Sequence, residues 1–143
     1  MMVFSAAPMR ESTRLFFVNL NIFLYNCFGM SELSGPETYT NPKKWKNFTD
    51  KEFLREAGRG LDGLTISIDN PDAEGNGEIC LRGTHLLNQG RNTFMGYFKD
   101  EEETKKAIDN KGFVHSGDVG KVDSDGNLTI TGRIKELIIT AGG

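Results

Sequence analysis

The sequence predicts a mixed α/β fold weighted toward short strands. Two pairs of apolar runs are joined by Asp/Asn/Gly turns, Leu64–Ile68 with Glu78–Leu81, and Gly120–Asp123 with Leu128–Thr131. Two helix patterns lie at 11–20 and 100–108. The 143 residues, 37% apolar and 26% charged, suffice for one core and have the composition of an ordinary globular domain.

The chain opens without a basic n-region, and the apolar run Leu15–Phe28 is interrupted by Asn19, Asn21 and Asn26. Neither a signal peptide nor a membrane span is expected. Glu11–Leu20 suits a helix presenting Leu15, Phe16 and Leu20 on one face, and Ile22–Phe28 suits a buried strand. The strand leaves through Phe28-Gly29-Met30-Ser31-Glu32, which puts an aromatic ring, a hydroxyl and a carboxylate within five residues. Strand ends of this kind receive ligands in α/β sheets; an aromatic ring stacks on a purine and a carboxylate holds Mg²⁺. Taken singly, the same residues read as a core Phe, a capping Ser and a solvated Glu.

From Tyr39 to Ala57 the chain is polar, with a loop at Asn41–Asn47 and a short helix over Thr49–Glu56. Trp45 among three lysines is a solvated face rather than a nucleic-acid site. Gly58-Arg59-Gly60-Leu61-Asp62-Gly63 has the letters of a dinucleotide fingerprint, but a strand follows it instead of a helix. It is expected to be a turn feeding the hairpin that starts at Leu64. Asp100 is placed to cap a helix running through Ile108, with Glu103 in its third position.

The stretch from Gly112 to Gly143 carries the most chemistry. Asp118 lies between Gly117 and Gly120, in a predicted glycine turn that exposes a short carboxylate. A carboxylate fixed in this way can accept two hydrogen bonds from the cis-diol of a ribose. The hairpin turning at Asp125-Gly126 then returns the chain to Arg133, so Asp118 and Arg133 are expected on the same side of a small sheet. By themselves the two residues read as a turn cap and a surface arginine.

His115-Ser116-Gly117-Asp118 followed by Thr131-Gly132-Arg133-Ile134-Lys135-Glu136-Leu137-Ile138 resembles the paired nucleotide-binding signatures of the adenylate-forming superfamily. Glu136–Gly143 together with Phe94-Met95-Gly96-Tyr97 is similar to the bubblegum type of long-chain acyl-CoA synthetase. The resemblance implies that Asp118 and Arg133 hold the ATP ribose and that Lys135 is the hinge to a mobile C-terminal domain. Phe28, Gly29 and Ser31 would contact the nucleotide, and Glu32 would hold Mg²⁺ and serve catalysis. Met1–Pro8 resembles the loop laid against adenine, with Ala6 and Ala7 as contacts and Ser5 where the family has glycine.

Implied with these roles are the end of an α/β subdomain at 1–57, a β-rich subdomain at 58–132, and the start of a mobile domain at 133–143. Gly77-Glu78-Ile79 resembles a structural signature of the family, whereas Thr84–Gly90 looks like an insertion of seven residues. The implied activity is ATP-dependent ligation of a long-chain fatty acid to CoA through an acyl-adenylate. ATP/AMP, Mg²⁺, CoA and fatty acid are the small molecules involved. The family's phosphate loop would precede Met1 and its catalytic lysine would follow Gly143, so the isolated segment is expected to be inactive. An inactive product that acts only by binding, or an enzyme making another acyl-adenylate, are the alternative readings.

Other classes are excluded on simpler grounds. A net charge of −3 with mixed signs offers nothing to nucleic acid. Cys27 and Cys80 lie in apolar runs, which fits a reducing, cytoplasmic setting without disulfides. Peripheral contact with intracellular membranes is left open by the resemblance. Asp123–Asn127 imitates a calcium loop, but Leu128 and Ile134 stand where Gly and Glu are required. His85, His115, Cys27 and Cys80 show no zinc-ligand spacing.

Overall fold

Period-two patterning works as expected in the strand Leu64–Asp69, where Leu64, Ile66 and Ile68 turn inward while Thr65, Ser67 and Asp69 face solvent. The computed structural model describes residues 2–5, 9–40, 49, 51–83 and 92–136. Within these, β1 (Met2–Phe4), α1 (Glu11–Asn19) and β2 (Leu24–Met30) lead into a 3₁₀ turn at Ser31–Leu33. β3 (Gly35–Tyr39), α2 (Lys51–Arg55) and β4 (Glu56–Gly60) follow. Next come β5 (Leu64–Asp69), β6 (Gly77–Gly83), α3 (Glu101–Ala107), β7 (Val114–Val122) and β8 (Asn127–Arg133).

The strands form one eight-stranded sheet in the order β1-β2-β3-β4-β8-β7-β6-β5. Among the described residues only the β1–β2 pair is parallel. Its buried core joins Leu33, Ala57, Ile79, Leu81, Val114 and Leu128, contributed by the 3₁₀ turn and by β4, β6, β7 and β8. Burial of each of the larger side chains, all but Ala57, contributes roughly 1.5–3 kcal/mol, which makes this cluster the main support of the sheet.

Both predicted hairpins are present, each with an Asp side chain as its anchor. Asp123 Oδ1 accepts from the Asp125 and Asn127 amides at 2.9 and 2.8 Å, and Asp72 Oδ1 accepts from Glu74 and Asn76 at 2.9 Å. Asp100 caps α3 as predicted, accepting from the Glu103 amide at 3.0 Å.

Three local expectations are corrected. The helix pattern at 11–20 put Phe16 and Leu20 on the buried face, but both are exposed and Arg14 is buried instead. The Arg14 guanidinium lies 4.2 Å above the Phe53 ring centroid and 5.3 Å from that of Phe4, and one Nη donates to the Glu56 carbonyl at 3.2 Å. Burial lowers its pKa to about 10, against the opposing pull of Glu56. Aromatic faces and a carbonyl make room for a guanidinium that hydropathy alone sends outside.

Gly58-Arg59-Gly60 is strand β4 rather than a turn, and Gly35–Tyr39 is a strand that the polar pattern concealed. Gly58 has φ +98°, and a Cβ there would overlap the Tyr39 backbone. This glycine serves close strand approach instead of reversal. The third correction concerns Asp118, which lies inside β7 where a glycine turn was expected. The predicted sites at Ala6, Ala7, Thr84–Gly90, Trp45 and 137–143 lie outside the described residues.

Candidate functional site

Antiparallel pairing of β7 with β8 sets Asp118 directly opposite Arg133. Arg133 Nε donates to Asp118 Oδ1 at 2.7 Å, and the carboxylate's hydrogen bond raises the Arg133 pKa above its usual value. The Asp118 side chain is 13% exposed and that of Arg133 is 64% exposed, so the carboxylate is fixed while the guanidinium faces solvent. Among the described residues Oδ2 of Asp118 has no partner, which leaves one acceptor for an incoming hydroxyl.

Asp118 is aimed by a bulge. Between the Cys80–His115 and Glu78–Val119 pairs, β6 has the single residue Ile79, whereas β7 has Ser116, Gly117 and Asp118. Gly117 takes φ +71°, a conformation that favours glycine. Ser116 Oγ donates to the Ile79 carbonyl at 2.7 Å and accepts from the Asp118 amide at 3.1 Å. The Gly117 amide donates to Glu78 Oε1 at 3.0 Å, and Glu78 Oε2 pairs with His115 Nδ1 at 2.8 Å.

Glu78 and His115 were not singled out from the sequence as site residues. Their signal would have been that Glu78 and Cys80 share one face of a strand, with His115 opposite Cys80 in the register. The ligand atoms of Glu78, Cys80 and His115 all lie within 4.8 Å of one another. Burial, followed by the nearby carboxylates of Glu78, Asp69 and Asp109, pushes the Cys80 thiol up to about 12. It is therefore a neutral neighbour, 3.5 Å from His115 Nδ1. Both cysteines are free thiols.

Glu32 is held in a different way. It lies in the 3₁₀ turn that ends β2, where no ladder fixes it. Tyr97 Oη donates to Glu32 Oε1 at 2.7 Å, and the Phe94 amide donates to the Glu32 carbonyl at 2.7 Å. The bond from Tyr97 raises the tyrosine's pKa. Two further bonds, Ser34 Oγ to the Asn92 carbonyl and Asn92 Nδ2 to Glu37 Oε1, both 2.9 Å, tie 92–97 to 31–37. Among the described residues Oε2 of Glu32 has no partner, so the side chain offers one carboxylate oxygen to a cation. Mg²⁺ is commonly held by one or two protein carboxylates together with phosphates, and this donor fits that chemistry.

The remaining predicted residues are more widely spread. Phe28 is half-buried against the core cluster, Gly29 abuts the Gly35–Pro36 backbone, and Ser31 is exposed at the start of the 3₁₀ turn. Lys135 is exposed just beyond β8. A concavity of about 420 Å³ lined by Tyr39, Glu56, Arg59, Leu61, Asp62 and Asn127 contains none of these residues. No helix among the described residues is long and apolar enough to cross a membrane.

No family model matches the chain. It is 49% identical over 138 residues to the long-chain-fatty-acid–CoA ligase ACSBG2 of Gallus gallus, covering 96% of this chain and 16% of that protein. Against ACSBG1 of Homo sapiens, a ligase of the same description, identity is 46% over 140 residues, covering 98% of this chain and 17% of the relative. The chain thus spans about a sixth of the length of these curated relatives. The structure of o-succinylbenzoate CoA synthetase from Bacillus subtilis in complex with ATP and magnesium matches with a TM-score of 0.74 and 25% identity. The match covers 99% of this chain and 28% of that one. Over the segment that it spans, the chain belongs to the adenylate-forming superfamily and, by sequence, to its bubblegum-type long-chain acyl-CoA ligases.

Proposed function

We propose that this chain is the ribose- and metal-contacting part of an ATP-dependent long-chain fatty acid–CoA ligase. The observation that carries the reading is the Asp118–Arg133 pair, in register across β7 and β8 at 2.7 Å, in a chain 49% identical to such a ligase. Asp118 accepts a ribose hydroxyl on the oxygen that Arg133 leaves open, and Arg133 supplies a neighbouring donor, a charge-assisted arrangement suited to a sugar. Phe28 offers a ring to adenine, with Gly29 and Ser31 beside it.

Glu32 would hold Mg²⁺ through the oxygen that Tyr97 leaves unused. When bound, the ion neutralises charge on the phosphate oxygens. An oxygen of the fatty-acid carboxylate attacks the α-phosphorus, and the bond to pyrophosphate breaks. The CoA thiolate then attacks the acyl carbon, and AMP leaves with the electron pair of the C–O bond. Lys135 is the hinge between the two half-reactions.

The domain reading follows the same pattern, with 1–57 closing an α/β subdomain, 58–132 forming the β-rich one, and 133–143 opening the mobile one. The setting is cytoplasmic, with peripheral contact to membranes as the route to a lipid substrate.

A chimera in which this chain replaces the matching 138 residues of the Gallus gallus relative tests the reading. It is expected to catalyse palmitate-dependent exchange of pyrophosphate into ATP, and Asp118→Ala is expected to weaken that exchange. Exchange indifferent to Asp118→Ala would overturn the assignment of the ribose site.

A further inference from the structure

We propose that Glu78 is a positioning residue for the nucleotide, acting through the Ser116–Asp118 bulge, with His115 fixing its carboxylate. The proposal rests on the reading of Asp118 as a ribose ligand. A bulge leaves backbone groups without ladder partners, and a displaced amide inside a sheet must be satisfied elsewhere. Here the orphan amide is Gly117's, and it donates to Glu78 Oε1 at 3.0 Å.

The other oxygen of Glu78 is 2.8 Å from His115 Nδ1, so the carboxylate is held at both ends and cannot rotate without losing a bond. It is 21% exposed, which limits competition from water. Ser116 supplies a second tie to the same strand through the Ile79 carbonyl at 2.7 Å. Ile79 is fully buried in the core, so the bulge is referenced to the most rigid part of the sheet.

Asp118 is the next residue after Gly117, and its direction follows from that amide's orientation. Productive binding tolerates only small misplacement of such a group, so a brace one residue away is felt at the ligand. A tripod of Glu78, Cys80 and His115 around a metal ion is the competing use of these side chains. The hydrogen bonds already engage both oxygens of Glu78 and Nδ1 of His115, which favours the brace.

The first test is local and uses the 143-residue chain. Amide exchange at Gly117 is expected to speed up in Glu78→Ala and to remain near wild type in Glu78→Gln, which keeps an acceptor oxygen. Unchanged protection in Glu78→Ala would overturn the brace.

The second test uses the chimera. Glu78→Ala is expected to raise KM for ATP about tenfold, with KM for fatty acid and CoA unchanged, and Glu78→Gln should recover most of the loss. With 2′-deoxy-ATP, which lacks a hydroxyl for Asp118, the Glu78→Ala penalty should largely vanish, because both changes remove the same contact. A penalty that persists in full with the deoxynucleotide, or a uniform loss of activity for every substrate, would make Glu78 merely structural. Wild-type activity that rises with added Zn²⁺ and falls with a chelator selective for it would make the cluster a metal site and overturn the proposal. If the Asp118→Ala penalty is as large with 2′-deoxy-ATP as with ATP, the ribose reading fails and the positioning role with it, while the Gly117 exchange result stands apart.

Discussion

The two carboxylates proposed to contact ribose and metal, Asp118 and Glu32, are presented by different physical means. Asp118 sits in a strand, opposite its partner by register and aimed by a bulge that is tied to the core strand β6. Glu32 sits in a 3₁₀ turn and is held by a tyrosine 65 residues away, with backbone and side-chain bonds sewing its segment to 92–97. The first depends on the sheet as a whole, the second on a few bonds at its edge. Damage to the sheet should therefore reach Asp118 first, and damage to the 92–97 segment should reach Glu32 alone.

The largest expected effect comes from breaking the sheet. Gly58→Ala forces a side chain into the Tyr39 backbone at φ +98°, next to the pairing of β4 with β8. Strain and overpacking together should cost about 3 kcal/mol of stability, read as a lower urea midpoint. A variant as stable as wild type would show that β3 and β4 do not approach as closely as described.

Asp118→Ala comes next. Losing a charge-assisted contact to the ribose should cost on the order of 1.5–3 kcal/mol in ATP use, with the sheet intact. Unchanged KM for ATP and unchanged kcat would remove Asp118 from the site.

Glu32→Gln sharpens the comparison, because only the adenylation step handles triphosphate. It should slow adenylate formation about tenfold and leave thioester formation from supplied acyl-adenylate near wild type. Equal slowing of both half-reactions would assign Glu32 a structural role.

Tyr97→Phe is the smallest expected change. Removing one hydrogen bond to Glu32 should cost about 1 kcal/mol, seen as a higher Mg²⁺ requirement with KM for palmitate unaltered. If Tyr97→Phe changes the response to 2′-deoxy-ATP rather than to Mg²⁺, the two carboxylates are not independently held.

Much of this architecture is legible in the residues. Both hairpins were predicted from period-two runs and Asp/Gly turns, which are local signals. The cap at Asp100 needs only a hydrogen bond three residues long, and it formed as expected. That Asp118 and Arg133 share one side of the sheet was legible because a short hairpin, itself a local structure, joins them, whereas their direct pairing within β7 and β8 was not. Arg14 was not, since its burial depends on Phe53 and Phe4 arriving from elsewhere in the chain. Strands β3 and β4 were equally hidden: a polar strand and a glycine-rich strand have no periodicity to read, and only pairing defines them.

What the sequence by itself determined, then, is the set of hairpins, the α3 cap and the carboxylate and arginine that the β7–β8 turn brings together. These follow from interactions between residues close in the chain, whose entropy cost of closure is small. Tertiary structure alone decided the rest. The register of β6 on β7 put His115 beside Cys80 and turned Glu78 toward the Gly117 amide, 39 residues away. The packing of 92–97 on the end of β2 gave Glu32 its tyrosine. Both depend on how separate strands align in one sheet, and a one-residue slip would send every such side chain to the other face.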